Sequence, residues 1–146
     1  MKKLVLVLVA AAGASWGCSQ RLASVQAPSL VQNAVQVKYP GVKTIDWEKQ
    51  GDLYEAEFEV GMVEHTALLD ATGHILMQKQ DIGVAELPQP VALALQRDYQ
   101  AYQKEDLEKV EKAGQVYYQV ELENPNGDLQ KVFAADGSSA SLAYWD

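Results

Sequence analysis

Apolar and polar positions alternate with a period of two from Tyr54 to Val60, where Tyr54, Ala56, Phe58 and Val60 are separated by Glu55, Glu57 and Glu59. This pattern predicts a β-strand with one dry face and one wet face. Gly61 predicts a tight turn into a strand over Val63 to Leu69, and Asp70-Ala71-Thr72-Gly73 a turn into another over His74 to Gln80. Upstream the period lengthens. Leu30, Val31, Ala34, Val35 and Lys38 fall at helical spacing, with Ser29 available as a cap, and Pro40-Gly41 stops the helix. Ile45 and Trp47 alternate within Val42 to Lys49, as in a strand.

The second half of the chain repeats this order. Pro88 and Pro90 precede Val91, Leu93, Ala94 and Leu95, which predicts a helix with a proline-rich start. Val116 to Glu123 and Leu129 to Ala134 read as strands joined by Asn124-Pro125-Asn126-Gly127-Asp128, and Asp136-Gly137 leads to a last strand near Ser141 to Trp145. Lys104 to Lys112 is contested. It is rich in helix formers, and Leu107 with Val110 fits helical spacing, but the repeat places it opposite the Trp47 strand. Strand is the favoured reading.

The repeat is visible in identities. Pro28, Val31, Tyr39, Asp46, Glu48 and Lys49 recur sixty residues later as Pro88, Val91, Tyr99, Asp106, Glu108 and Lys109. After a four-residue change of offset, Tyr54 to Phe58 aligns with Tyr118 to Leu122, and Ala71-Thr72-Gly73 with Ala135-Asp136-Gly137. Two copies, 28–86 and 87–146, follow from this order. The predicted fold class is α+β: a tandem repeat of a helix plus antiparallel strands, with both helices packed on one face of the sheet.

The N-terminus has a different character. Lys2 and Lys3 precede an apolar run from Leu4 to Ala12, then small residues broken by Trp16, then Cys18. This is the layout of a bacterial export signal over 1–17, too short for a permanent membrane span. Cys18 resembles the lipidated cysteine of bacterial lipoproteins, although Ser15 and Trp16 depart from the usual residues before Gly17-Cys18. Cleavage after Ala12-Gly13-Ala14, leaving a free thiol, is the alternative. Residues 18–27 then form a polar tether carrying the anchor. Ser19 after the cysteine leans towards outer-membrane sorting.

Composition narrows the function classes. The 146 residues are 48% hydrophobic and 22% charged, which suits one folded domain and excludes a disordered chain. The net charge of -8 argues against nucleic acid, whose recognition needs clustered Lys and Arg. Loss of residues 1–17 leaves 129 residues with 10 basic and 20 acidic side chains, a charge of -10. Such a domain is repelled by anionic lipid, so its membrane contact would run through the lipid anchor alone. One cysteine makes no internal disulfide, and with two histidines it leaves little for a metal cage. No cofactor and no metal are expected.

At this point the residues resemble a known family. Pro28, Val31, Tyr39-Pro40-Gly41, Trp47, Tyr54 to Phe58, and Asp70-x-x-Gly73-x-x-Leu76 are similar to the PepSY-like family of small exported bacterial proteins, often lipoproteins, described as beta-lactamase-inhibitor-like. Leu87-Pro88 and Tyr117 to Leu122 before Asp136-Gly137 repeat the pattern. The second copy departs from it by lacking a Pro-Gly stop and a counterpart of Trp47. The resemblance implies a binding or inhibitory role towards another envelope protein, through the sheet, and carries no catalytic signature.

Candidate chemistry is sparse. His65 and His74 would lie on one face across the Asp70 hairpin but more than about 10 Å apart, too far to share a metal, and read as solvated surface residues. Asn124, Asn126 and Asp128 have part of a calcium-loop spacing without its glycine and terminal glutamate. No nucleophile motif or phosphate loop is present. The acidic stripe Glu55, Glu57 and Glu59, joined by Glu121 and Glu123 in the second copy, reads either as a solvated face or as a surface for a basic partner. Tyr117, Tyr144 and Trp145 are aromatic candidates for anchoring a partner or, at 144 and 145, for capping the core. The expected face is therefore Glu55, Glu57, Glu59, Tyr117, Glu121, Tyr144 and Trp145. The expected protein is a non-enzymatic exported lipoprotein binding a cell-envelope protein. The alternative is a periplasmic carrier of a small ligand or cation, with an enclosed pocket between sheet and helices.

Overall fold

The computed structural model describes residues 25–146; the expected export signal, Cys18 and most of the expected tether lie outside them. Helix α1 (Ser29–Lys38) leads into strands β1 (Asp46–Gln50), β2 (Leu53–Val60), β3 (Val63–Leu69) and β4 (Ile75–Asp81). A short 3-10 turn at Val84–Glu86 precedes α2 (Gln89–Asp98), and β5 (Gln103–Lys112), β6 (Gln115–Glu123) and β7 (Leu129–Ala134) follow. All seven strands form one antiparallel sheet in chain order. The α+β class and the repeated helix-plus-strand unit are as the sequence predicts.

Both helices cover the same face. Val31 and Val35 of α1 pack on Ala56, Phe58, Ala67 and Leu69, and buried Ala27, at the end of the expected tether, joins them. Val91, Ala94 and Leu95 of α2 pack on Leu107, Val120, Leu122 and Phe133. The registers Ala56↔Ala67, Ala67↔Gln78, Gln78↔Glu111 and Glu111↔Val116 put these residues on one side of the pleat. Each repeat thus owns a core. Between them the helix side is polar: the Tyr39 hydroxyl donates to Gln78 Oε1 at 2.8 Å, and Gln78 Nε2 donates to Glu111 Oε2 at 2.6 Å.

The contested stretch is strand β5, and its helix-like spacing has a cause. Asp106, at φ 41°, is the extra residue of a bulge between Glu105 and Glu108. Leu107 enters the α2 core, while Val110 is buried on the opposite face, so a strand dry on both sides mimics a helical pair.

Several local expectations are corrected. Ser29 is the first residue of α1 and not its cap; Pro28 holds the cap position without a side-chain hydrogen bond. β4 starts at Ile75, because Asp70 Oδ1 accepts from the backbone N–H groups of Thr72 and His74 and holds them in the turn. The strand expected near Ser141 to Trp145 does not form. Ala140 N–H still donates to the Val132 carbonyl at 2.9 Å, and then the chain leaves β7's edge and crosses onto the sheet face that has no helices.

Candidate functional site

Strand alternation gives the helix-free face its membership. On β2 it is Glu55, Glu57 and Glu59; on β3 Glu64, Thr66 and Leu68; on β4 Met77, Lys79 and Asp81. On β5 it is Glu108, Val110 and Lys112; on β6 Tyr117, Gln119 and Glu121; on β7 Gln130 and Val132. Both helices lie on the other side, so no helix among the described residues covers this face. Glu55, Glu57, Glu59, Tyr117 and Glu121 all belong to it, and residues 141–146 bring Tyr144 and Trp145 to it.

At its centre the face is not wet. Glu55 is only 4% exposed, Gln119 0% and Trp145 9%. Glu55 Oε2 accepts from the Trp145 indole Nε1 at 2.9 Å and from Gln50 Nε2 at 2.7 Å. The Gln119 amide addresses the backbone of Trp145 at both ends: its Nε2 donates to the Trp145 carbonyl at 2.6 Å, and its Oε1 accepts the Trp145 N–H at 3.2 Å. Lys79 Nζ donates to the same carbonyl at 3.0 Å, pairs with Glu108 Oε1 at 2.9 Å, and stands 5.3 Å from the indole centroid. Gln119 also donates to Glu108. Among the described residues no buried side-chain polar atom lacks a partner. Trp145 is therefore a buried peg in a polar socket, and Glu55 belongs to that socket rather than to the solvated stripe.

Around the socket the face is acidic. Glu57 and Glu59 are exposed and flank, with Asp46 and Glu64, an open groove of about 510 Å³ that also touches Lys43, Thr44 and Phe58. Partial burial, then the neighbouring Glu55, Glu48 and Glu64, push the Glu57 carboxyl above its ordinary value, against a smaller opposing pull from Lys79. Asp81 is raised by partial burial and by Glu64 and Asp106, with Lys79 and His65 opposing. Glu121 is raised by desolvation and then by Asp106, Asp128, Glu123 and Asp146. The Tyr144 phenol is pushed up by burial first and then by Glu108, Glu121, Asp106 and Asp146. Tyr117 is half-buried and its hydroxyl donates to Gln115 Oε1 at 2.5 Å.

The histidines do not meet. His65 is on the helix side, 5.7 Å from the Phe58 ring in a stacked arrangement and 5.4 Å from Tyr39. It is half-buried rather than solvated, and burial lowers its pKa. His74 sits exposed in the turn after Asp70. Among the described residues no group of three or more His, Cys, Asp or Glu side chains is placed to hold a metal ion. The space beneath each helix is filled by its apolar cluster.

The sequence reading missed Lys79, Glu108 and Gln119. One signal was available. Gln119 interrupts the apolar run Val116-Tyr117-Tyr118 and Val120 of β6, and such a polar residue needs partners when buried.

No protein-family model matches the chain, and no curated protein matches it in sequence. Solved structures do share its fold. A protein of Bacteroides eggerthii described as periplasmic superposes with a TM-score of 0.75 at 21% identity, over 79% of this chain and 86% of that one. A DUF2874 family protein of Bacteroides uniformis gives 0.73 at 24%, over 78% and 86%. A BLIP-like protein of Bacteroides fragilis gives 0.69 at 22%, over 80% and 84%. The likeness, at these identities, is one of fold.

Proposed function

We propose that this chain is an exported, PepSY-like binding protein without catalytic activity, which docks a basic cell-envelope protein on its helix-free sheet face. The observation that carries the reading is convergence: Glu57, Glu59, Tyr117, Glu121 and Tyr144, from separate parts of the sequence, lie around the filled socket on one face, opposite both helices. Exposed Glu57, Glu59 and Asp81 with Glu121 give that face a net negative charge: Lys79 is already neutralised by Glu108, and exposed Lys112 offsets only one of the remaining carboxylates. A negative face raises the encounter rate with a basic partner and disfavours acidic ones. The fold-sharing Bacteroides proteins described as periplasmic and BLIP-like support an envelope setting and a role in protein contact. Carboxylates locked in hydrogen bonds to an indole and an amide, as Glu55 and Glu108 are, serve structure rather than proton transfer.

The test is crosslinking of the mature domain in envelope extract, comparing wild type with the double variant Glu57→Lys, Glu59→Lys. A partner recovered by the wild type should be lost by the variant and weakened by salt. Equal recovery by both, or no reproducible partner, would overturn the reading. Lipid anchoring at Cys18, which makes the protein an outer-membrane lipoprotein in this proposal, has a separate check. Cys18→Ala should move the protein from the membrane fraction to the soluble one.

A further inference from the structure

We propose that the socket formed by Glu55, Lys79, Glu108 and Gln119 is a receptor for an extended, tryptophan-bearing segment of a partner protein, with basic residues beside the tryptophan, and that residues 141–146 fill it in cis as a displaceable plug.

The repeat shows that the plug is diverted from another role. Gly73 and Gly137 are equivalent: both have φ 84°, and both lie against a helix carbonyl, that of Leu30 in the first half and Pro90 in the second. In the first half the chain after Gly73 becomes β4 and pairs on both sides. In the second half the corresponding residues keep edge pairing only through Ser138 and Ala140, and then cross the sheet. The segment is therefore not placed by the fold's strand order. It is placed by what the socket recognises.

That recognition is peptide-like. Gln119 pairs with both the N–H and the C=O of one residue, as a neighbouring strand would, and Lys79 adds a donor to the carbonyl. Glu55 then reads the side chain through the indole N–H. The four receptor side chains come from β2, β4, β5 and β6, so the site is built by the sheet and does not need its occupant to be continuous with β7. Aromatic pegs in desolvated pockets are the usual centres of binding energy.

The plug carries the wrong charge. Asp146 adds a carboxylate beside Glu121, accepting an exposed hydrogen bond from Gln130 Nε2 at 3.0 Å, and Tyr144 lies among Glu108, Glu121 and Asp106. A segment with Lys or Arg in place of Asp146 reverses that mismatch. A second copy of this chain would bring the same aspartate and a second acidic face, so the fitting occupant is a basic partner. The inference shares the basic partner with the proposed function but rests on different residues, and either can fail alone.

The experiment uses the full chain as wild type, Trp145→Ala and Trp145→Phe, each checked for folding by circular dichroism. Labelled peptides Ser-Leu-Ala-Tyr-Trp-Lys, Ser-Leu-Ala-Tyr-Trp-Asp and Ser-Leu-Ala-Tyr-Phe-Lys are titrated by anisotropy. The variants should bind the Trp-Lys peptide at least about tenfold tighter than wild type, whose own segment competes. The Trp-Asp peptide should bind roughly threefold to tenfold more weakly, with the gap closing in salt. The Phe peptide should lose about tenfold, because Glu55 loses its donor. Adding Gln119→Ala should remove binding. Folded variants that ignore the peptides, or bind Phe and Trp peptides alike, would overturn the proposal. So would loss of folding in both variants, since Trp145 would then be an integral part of the core.

Discussion

Glycine at two positions does more than permit a turn. A Cβ on Gly137 would sit 2.5 Å from the Pro90 carbonyl oxygen, and one on Gly73 would sit 2.8 Å from that of Leu30, so each glycine lets a hairpin turn press against the start of a helix. Gly114 has a similar positive φ of 76° but opens onto empty space. The two situations separate backbone strain from contact. Gly114→Ala should cost about 1 kcal/mol, the left-handed penalty alone, whereas Gly137→Ala should cost at least about 2 kcal/mol because backbone must also move. Urea denaturation of the two variants measures the difference, and equal losses would mean that the helix yields freely. Trp145 shows the opposite limit of sequence reading. Its burial depends on Gln119, 26 positions away, and on Glu55, 90 positions away, and no local pattern announces those partners.

Elements were legible where one face is apolar and the other is not. β2 and both helices meet that condition, and their spacing exposes them at once. β5 does not, because its two dry faces and its bulge at Asp106 erase the period of two. Its register is set instead by β6 through the hairpin at Ala113-Gly114. Both turn residues have positive φ, 51° and 76°, the conformation of a mirror-image two-residue turn that favours Asn-Gly. Ala113 is a poor resident there. Ala113→Asn should stabilise the domain by about 0.5–1 kcal/mol, by relieving part of the left-handed strain. A thermal or urea melt checks this; no gain would show that the hairpin is not limited by its turn.

Across the whole molecule the acidic charge is organised, with much of it gathered on the helix-free face. Glu57, like Asp81, is an exposed member of that face whose carboxyl is raised by its surroundings. Its charged form is disfavoured in the folded state relative to the unfolded chain, where the ordinary value is 4.5. The folded protein therefore binds the proton more readily, and the penalty is fully present above the folded pKa and vanishes as pH falls below 4.5. Glu57→Gln should accordingly stabilise the domain at neutral pH by about 0.3 kcal/mol after solvent screening, less in high salt, and the gain should disappear in mild acid. Stability curves of both proteins at several pH values provide the measurement. His65 works in the other sense: burial lowers its pKa, so its contribution is present above its ordinary 6.5 and is lost as pH falls below it.

The sequence by itself determined the repeat, the periods of its helices and best strands, and the sign of the charge, because each is written in local spacing or composition. Alternation also placed Glu55, Glu57, Glu59 and Tyr117 in a consistent relation along their strands. Only the tertiary structure decided which of those glutamates meets water. Residues 141–146 had every local reason to continue the repeat as an edge strand. They lie across the sheet because a buried carboxylate, amide and ammonium there satisfy one tryptophan's side chain and backbone together, an arrangement that exists only once four strands are paired.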